Sequence, residues 1–223
     1  MRQIPLPIAA LPAPAFDNFL PGDNAPAIAH LEALGAQAAP VYLWGVSGSG
    51  KTHLMQALIH RFEQHGTHAG WFSAADPAPW VSDEAWALIA IDGCDALDAD
   101  QQHAAFTLFV DAATRGVPVI ASGRVPPVDL PLREDLRTRL GWGHVFAIQP
   151  LAEPEARAAL RREADRRGLF FSDDVMDYLL TRFARDLKHL MALLDRLDEF
   201  SLSTKRTITV PLLKRMLAEE GPV

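Results

Sequence analysis

The chain has 223 residues, with 21 basic against 28 acidic side chains for a net charge of −7, and 49% of its residues are apolar. That length suits one sizeable core, or a core plus a small second domain, and the ordinary composition excludes collagen, coiled-coil and wholly disordered classes. From Leu151 onward 13 basic and 13 acidic residues cancel, so the first 150 residues carry the whole −7. Neither part has the basic excess of a duplex-binding surface, and any DNA contact is expected to be indirect or weak.

Apolar stretches such as Trp86 to Ile91 are too short to cross a bilayer, so no membrane association is expected. The single Cys94 cannot form an internal disulfide, and Met1 to Pro7 is too proline-rich for a secretory signal. A cytoplasmic location is the expectation.

Residues 1–15, rich in Pro and Ala, read as an extended tail. Phe16 to Asn24 reads as a compact loop with aromatic anchors, followed by a helix over 25–34. Apolar strands then alternate with helices. Strands are predicted at 41–44, 69–73, 88–92, 117–121 and 144–148. A helix with Leu54, Ala57, Leu58 and Phe62 on one face follows the first strand, and another spans 99–115. This order predicts an α/β domain with a parallel sheet over 16–150. Beyond it the strand pattern ceases. Helices are predicted over 153–167, 173–183, 186–200 and 210–219, giving a small all-helical domain over 151–223.

Gly45-Val46-Ser47-Gly48-Ser49-Gly50-Lys51-Thr52 stands between the first strand and an amphipathic helix. Glycines let the backbone wrap closely and aim successive N–H groups at phosphate oxygens, and the helix adds its positive end. Lys51 is placed to reach the outer phosphates, and Thr52 to ligate Mg²⁺. The competing reading, a glycine-rich turn with an accidental Lys-Thr, does not account for the strand–loop–helix context. Asp92 ends an apolar strand, where a P-loop protein holds the Mg²⁺ shell. Gly93 follows it, so no second acid adjoins Asp92, and Asp95 is the next carboxylate in the turn.

Other residues have plainer readings. His60, His65 and His68 lack partner acids at metal spacing and read as a solvated helix end. Cys94 reads as a small buried residue. Trp71, Trp80 and Trp86 belong to the core or to a partner surface. Arg161, Arg162, Arg166 and Arg167 alternate with Glu163 and Asp165, as on a solvated helix face.

Together these features resemble the DnaA-like AAA+ family. Phe16-Asp17-Asn18-Phe19 with Gly22 and Asn24, then the strand and P-loop, look like the start of the initiator's AAA+ module. Asp135 to Gly143 resembles its arginine-finger segment, and Arg185 to Leu190 with Ile208-Thr209-Val210 resembles its lid. The sequence ends just after the lid, without the initiator's DNA-binding helix-turn-helix domain. Gln3-Ile4-Pro5-Leu6-Pro7 resembles a sliding-clamp-docking peptide. Both features point to the family's regulatory inactivators rather than to the initiator.

The resemblance implies an AAA+ P-loop sheet with a helical lid, holding ADP or ATP with Mg²⁺. Phe16, Phe19, Asn24, Gly45, Ser47, Gly48, Ser49, Gly50, Lys51, Thr52, Asp92 and Lys188 would line the nucleotide, Thr52 and Asp92 serving its metal. Gln3, Ile4, Leu6 and Pro7 would bind the DNA polymerase III sliding clamp. Arg139 would act in trans on the AAA+ domain of DnaA, and homo-oligomers are compatible with the fold. Gly123 falls where the initiator has an acidic first-sensor residue, and Lys188 where it has a sensor arginine. With Gly93, these departures imply good binding and poor self-hydrolysis. The competing readings are an autonomous ATPase such as a helicase loader, and a DNA-binding initiator.

Overall fold

A computed structural model describes residues 13–183, 187–204 and 206–220, without the side chains of Lys188 and Glu220. The chain divides into two compact units, one holding 13–149 and the other beginning at Pro150.

The first unit is built on five parallel strands: β1 (Val41–Trp44), β2 (His68–Ser73), β3 (Trp86–Asp92), β4 (Val119–Gly123) and β5 (His144–Ala147). Their order across the sheet is β2-β3-β4-β1-β5. Helices α1 (Ala25–Glu32), α2 (Lys51–Gln64), α3 (Ala99–Arg115) and α4 (Glu134–Gly141) cover its two faces. The period-two alternation of a strand sorts the side chains. Val41, Leu43, Leu88, Ala90 and Ile120 pack with α1 and α2 on one face. Tyr42, Ile89, Ile91, Val119 and Ala121 pack with α3 and α4 on the other. Both faces are buried along the central strands β1, β3 and β4, which is why their runs 41–43, 88–91 and 119–121 are apolar. On α2, Leu54, Met55 and Leu58 are fully covered, each contributing about 1.5–3 kcal/mol of transfer free energy.

Strand β4 begins two residues later than the sequence predicts. Pro118 has no N–H to donate to the ladder, and Val117 N–H returns to the Ala112 carbonyl (2.9 Å) in the turn after α3. The shift brings Ser122 and Gly123 into the sheet. β2 and β3 start earlier, at His68 and Trp86, and α1 stops at Glu32 instead of Leu34. Trp80 is buried, while Trp71 and Trp86 are half-buried against the sheet cores, so all three belong to the core.

In the second unit, α5 (Glu153–Arg166), α6 (Asp173–Arg182), α7 (Leu187–Thr204) and α8 (Val210–Glu220) enclose a separate apolar core. α7 runs four residues beyond the predicted end. Among the described residues no helix is long and apolar enough to cross a membrane.

Candidate functional site

The carboxyl ends of β1, β3 and β4 lie side by side, because β4 separates β1 from β3. In open α/β sheets the crevice at such carboxyl ends, where the strand order switches, is where ligands bind. The segment 45–50 leaves β1 there and leads into α2. Gly50 caps that helix with φ 101° and no side-chain hydrogen bond, so the first-turn N–H groups remain available to an anion. Phe19 closes over this turn, and a β-carbon on Gly50 would stand 2.5 Å from its ring. Phe16 is half-buried in the same core. His53 and His60 bond the Ala15 and Pro14 carbonyls at 3.1 and 2.8 Å, holding residues 14 and 15 against α2. His60 thus has a structural partner, as has His65, which bonds the Arg61 carbonyl (2.7 Å).

Lys51 is buried, and its ammonium donates to the carbonyls of Gly45 (2.7 Å) and Val46 (2.9 Å). Burial pushes its pKa below the ordinary lysine value. The charges of Asp92 and Asp95 oppose that shift, and Arg124 adds to it. Facing the loop, Thr52 Oγ1 donates to Asp92 Oδ2 (2.9 Å), and Ser122 Oγ donates to Asp92 Oδ1. Gly93 N–H donates to Ser122 Oγ (2.9 Å). The hydroxyls of Thr52 and Ser122 thereby fix the Asp92 carboxylate at the loop's mouth.

This oxygen-donor set suits Mg²⁺, which accepts one or two protein ligands when phosphates and waters complete its octahedron. No group of three or more His, Cys, Asp or Glu that could hold a metal occurs among the described residues. With only Thr52 and Asp92 as direct oxygen donors, phosphate and water would have to complete the shell of any Mg²⁺ held there.

Asn24 joins this region differently. Its amide donates to the Gln149 carbonyl (2.9 Å) and accepts from the Gln149 N–H (2.8 Å), tying the loop before α1 to the end of β5. Both ends of the amide are engaged by the backbone.

Arg139, on α4, lies elsewhere. It lines a cleft of about 450 Å³ together with Pro40 and Val119, which mark the amino ends of β1 and β4. The P-loop leaves the carboxyl end of β1, so Arg139 and the chain's own phosphate cradle belong to opposite ends of the sheet. Its guanidinium stands 5.7 Å from the Phe106 ring and 5.9 Å from the exposed Trp142 ring. Asp135 pairs with Arg133 instead (2.7 Å), and Arg139 makes no ion pair among the described residues.

The N-terminal part of the chain matches the bacterial DnaA ATPase domain over residues 12–70, and the helical part matches the Hda lid domain over residues 153–217. The chain is a DnaA-like AAA+ protein. Solved structures agree on the fold. Domain III of the Thermotoga maritima initiator DnaA superposes with a TM-score of 0.76 at 16% identity, over 94% of this chain and 97% of that one. AMPPCP-bound DnaA from Aquifex aeolicus gives 0.68 at 21%, over 87% and 69%. The Thermotoga maritima RuvB branch-migration motor gives 0.66 at 17%, over 92% and 72%.

Gly93 and Gly123, the two glycines singled out by the resemblance, each have a visible geometry. Gly93 adopts φ 71°, ψ 48°, a left-handed conformation that disfavours any side chain with a β-carbon, although the space around it is open. At Gly123 the obstacle is steric. A β-carbon there would stand 1.9 Å from the Tyr42 hydroxyl. That phenol is fully buried and donates to the Val125 carbonyl (3.1 Å). Asp95, the remaining carboxylate in this turn, is paired with Arg124. Cys94 is buried and its thiol is pushed up to about 12 by burial, consistent with a small core residue.

Lys188 lies in α7, but its side chain is outside the described residues, as are Gln3, Ile4, Leu6 and Pro7. Sequence reading missed Tyr42 and the Asp95–Arg124 pair. The signal was in the register: Trp44 pairs with Gly123, so Tyr42, two residues earlier on β1, shares its face.

Proposed function

We propose that this chain is an adenine-nucleotide-bound AAA+ regulator of replication initiation, which acts on the DnaA initiator rather than as a motor. The observation that carries the nucleotide reading is the Thr52–Asp92–Ser122 cluster facing the turn from which Lys51 emerges. A phosphate chain in that turn would take the α2 N–H groups and draw the Lys51 ammonium from the loop carbonyls it now holds. ADP or ATP, with Mg²⁺ shared between Thr52, Asp92 and phosphate, fits these donors. AMPPCP occupies the DnaA structure from Aquifex aeolicus, which supports the class of ligand.

Weak self-hydrolysis is part of the same reading. Positioning of the attacking water is most of phosphoryl-transfer catalysis. Gly93 supplies no carboxylate for it, and Gly123 has no room for one. The match of the helical unit to the Hda lid supports a regulatory role toward the DnaA AAA+ domain. On this reading Gln3, Ile4, Leu6 and Pro7 dock the cytoplasmic protein on the sliding clamp, and Arg139 stimulates hydrolysis of ATP held by DnaA.

Calorimetry with ADP and AMPPCP tests the foundation. Lys51→Ala should lower affinity for both by tenfold or more, since a charge-assisted contact contributes about 1.5–3 kcal/mol. Equal affinity in wild type and variant would remove the P-loop assignment.

A further inference from the structure

A second charged pair stands beside the phosphate cradle. The Gly123 carbonyl accepts from the first loop residue, Gly45 N–H (3.2 Å), so Arg124 leaves the sheet one residue beyond the loop's own anchor. Arg124 N–H donates to Asp95 Oδ1 (3.0 Å), and its Nε lies 3.2 Å from Asp95 Oδ2. The two partners differ in freedom: the Arg124 side chain is 74% exposed, that of Asp95 only 17%. Asp95 is held in the short turn Cys94–Ala96 that follows Gly93.

Both charges reach the site electrostatically, since Lys51 feels Asp92, Asp95 and Arg124 together. The cradle thus holds two cations and two carboxylates, with no formal surplus of either sign. Asp92 is fixed by two hydroxyls, whereas the direct partners of Asp95 among the described residues are a long, solvent-exposed arm and one backbone N–H. A new anion placed beyond Lys51 would leave Asp95 where it is and compete for the guanidinium. Arginine's planar fork suits phosphoryl oxygens as well as carboxylates.

We propose that Arg124, drawn off Asp95, contacts the terminal phosphate of a bound nucleoside triphosphate, so that the Asp95–Arg124 pair sets the preference between triphosphate and diphosphate. This deepens the nucleotide reading above and rests on it. Asp95 is the opposing half of the device: without its arginine it faces the terminal phosphate as an unscreened like charge.

The test is calorimetry on the full chain with Mg²⁺, using ADP and AMPPCP as separate probes. Arg124→Ala, at an exposed position, should keep the wild-type melting temperature. It should weaken AMPPCP about tenfold while moving ADP by no more than about twofold. Asp95→Asn keeps an acceptor for the Arg124 N–H and should shift the ratio of the two affinities toward AMPPCP. Equal losses on both nucleotides in Arg124→Ala, or no loss on either, would overturn the proposal, as would an unchanged ratio in Asp95→Asn. Wild-type protein that binds neither nucleotide would bring down the P-loop reading and this inference with it. Normal ADP binding with an unaltered ratio in Arg124→Ala overturns this inference alone.

Discussion

Gly123 shows how one residue can close off a chemistry. Its backbone is ordinary strand, so conformation alone does not demand glycine. What demands it is the Tyr42 hydroxyl, which fills the volume any side chain would need. Restoring an acid with Gly123→Asp should therefore cost stability before it alters hydrolysis, by about 1–3 kcal/mol for overpacking a closed site. Pairing it with Tyr42→Ala should recover part of that cost, and urea unfolding of the four proteins in the cycle measures the coupling. Strictly additive losses would mean that the phenol is not the obstruction. The phosphate cradle itself was legible, since Gly45 to Thr52 is a local pattern whose residues need only one another and the following helix. The Tyr42 obstruction was not, because it links residues 81 positions apart through a strand register that no local pattern states.

Elements were legible where burial is two-sided. β1 was read with its full bounds and β3 by its apolar body 88–92, though not its start at Trp86, because both sheet faces are covered. The misplaced start of β4 has a specific cause: Val117 and Pro118 are as apolar as the strand they precede, and only hydrogen bonding separates them from it. On α5 the arginine run is more than a solvated face. Arg161 pairs with Asp173 of α6 (2.6 Å), and Arg167 pairs with Glu163 (2.7 Å) and with Asp195 of α7. Hydrogen bonds from Arg166 and then Arg167 hold the Glu163 carboxyl at about 2, below the ordinary 4.5. A depressed carboxylate stabilises the fold fully above its unfolded value and loses that contribution as pH falls from about 4.5 to about 2. Glu163→Gln should lower stability at pH 7 by about 1 kcal/mol, given a half-screened pair network. The difference from wild type should vanish as pH approaches 2. Chemical denaturation across that pH range, followed by circular dichroism, measures it, and a pH-independent difference would assign the loss to packing.

For the molecule as a whole, the position of Arg139 decides how the proposed regulation can work. Sequence resemblance supplied the residue, but not the fact that it shares a cleft with Pro40 and Val119 at the strand ends opposite the P-loop. A guanidinium there cannot serve the phosphates its own chain holds, so any phosphate it contacts is on another molecule. Its setting favours presentation: two aromatic rings flank it, and the nearby Asp135 is engaged by Arg133. Flanking rings hold the charge in place without neutralising it. An arginine supplied in trans to a transferring phosphoryl group contributes ~10³–10⁵ in rate. Arg139→Ala should therefore leave the melting temperature within a few degrees of wild type, and nucleotide affinity and clamp binding unchanged. The same change should abolish stimulation of DnaA-bound ATP hydrolysis on clamp-loaded DNA. Arg137→Ala, two residues away, is the control and should retain most of the stimulation. The reconstituted assay separates two failures. If Arg139→Ala melts early and loses every function together, the residue is structural, and the cation–aromatic stack is what it provides. If it stimulates as well as wild type, the trans-acting role belongs to another residue or to none.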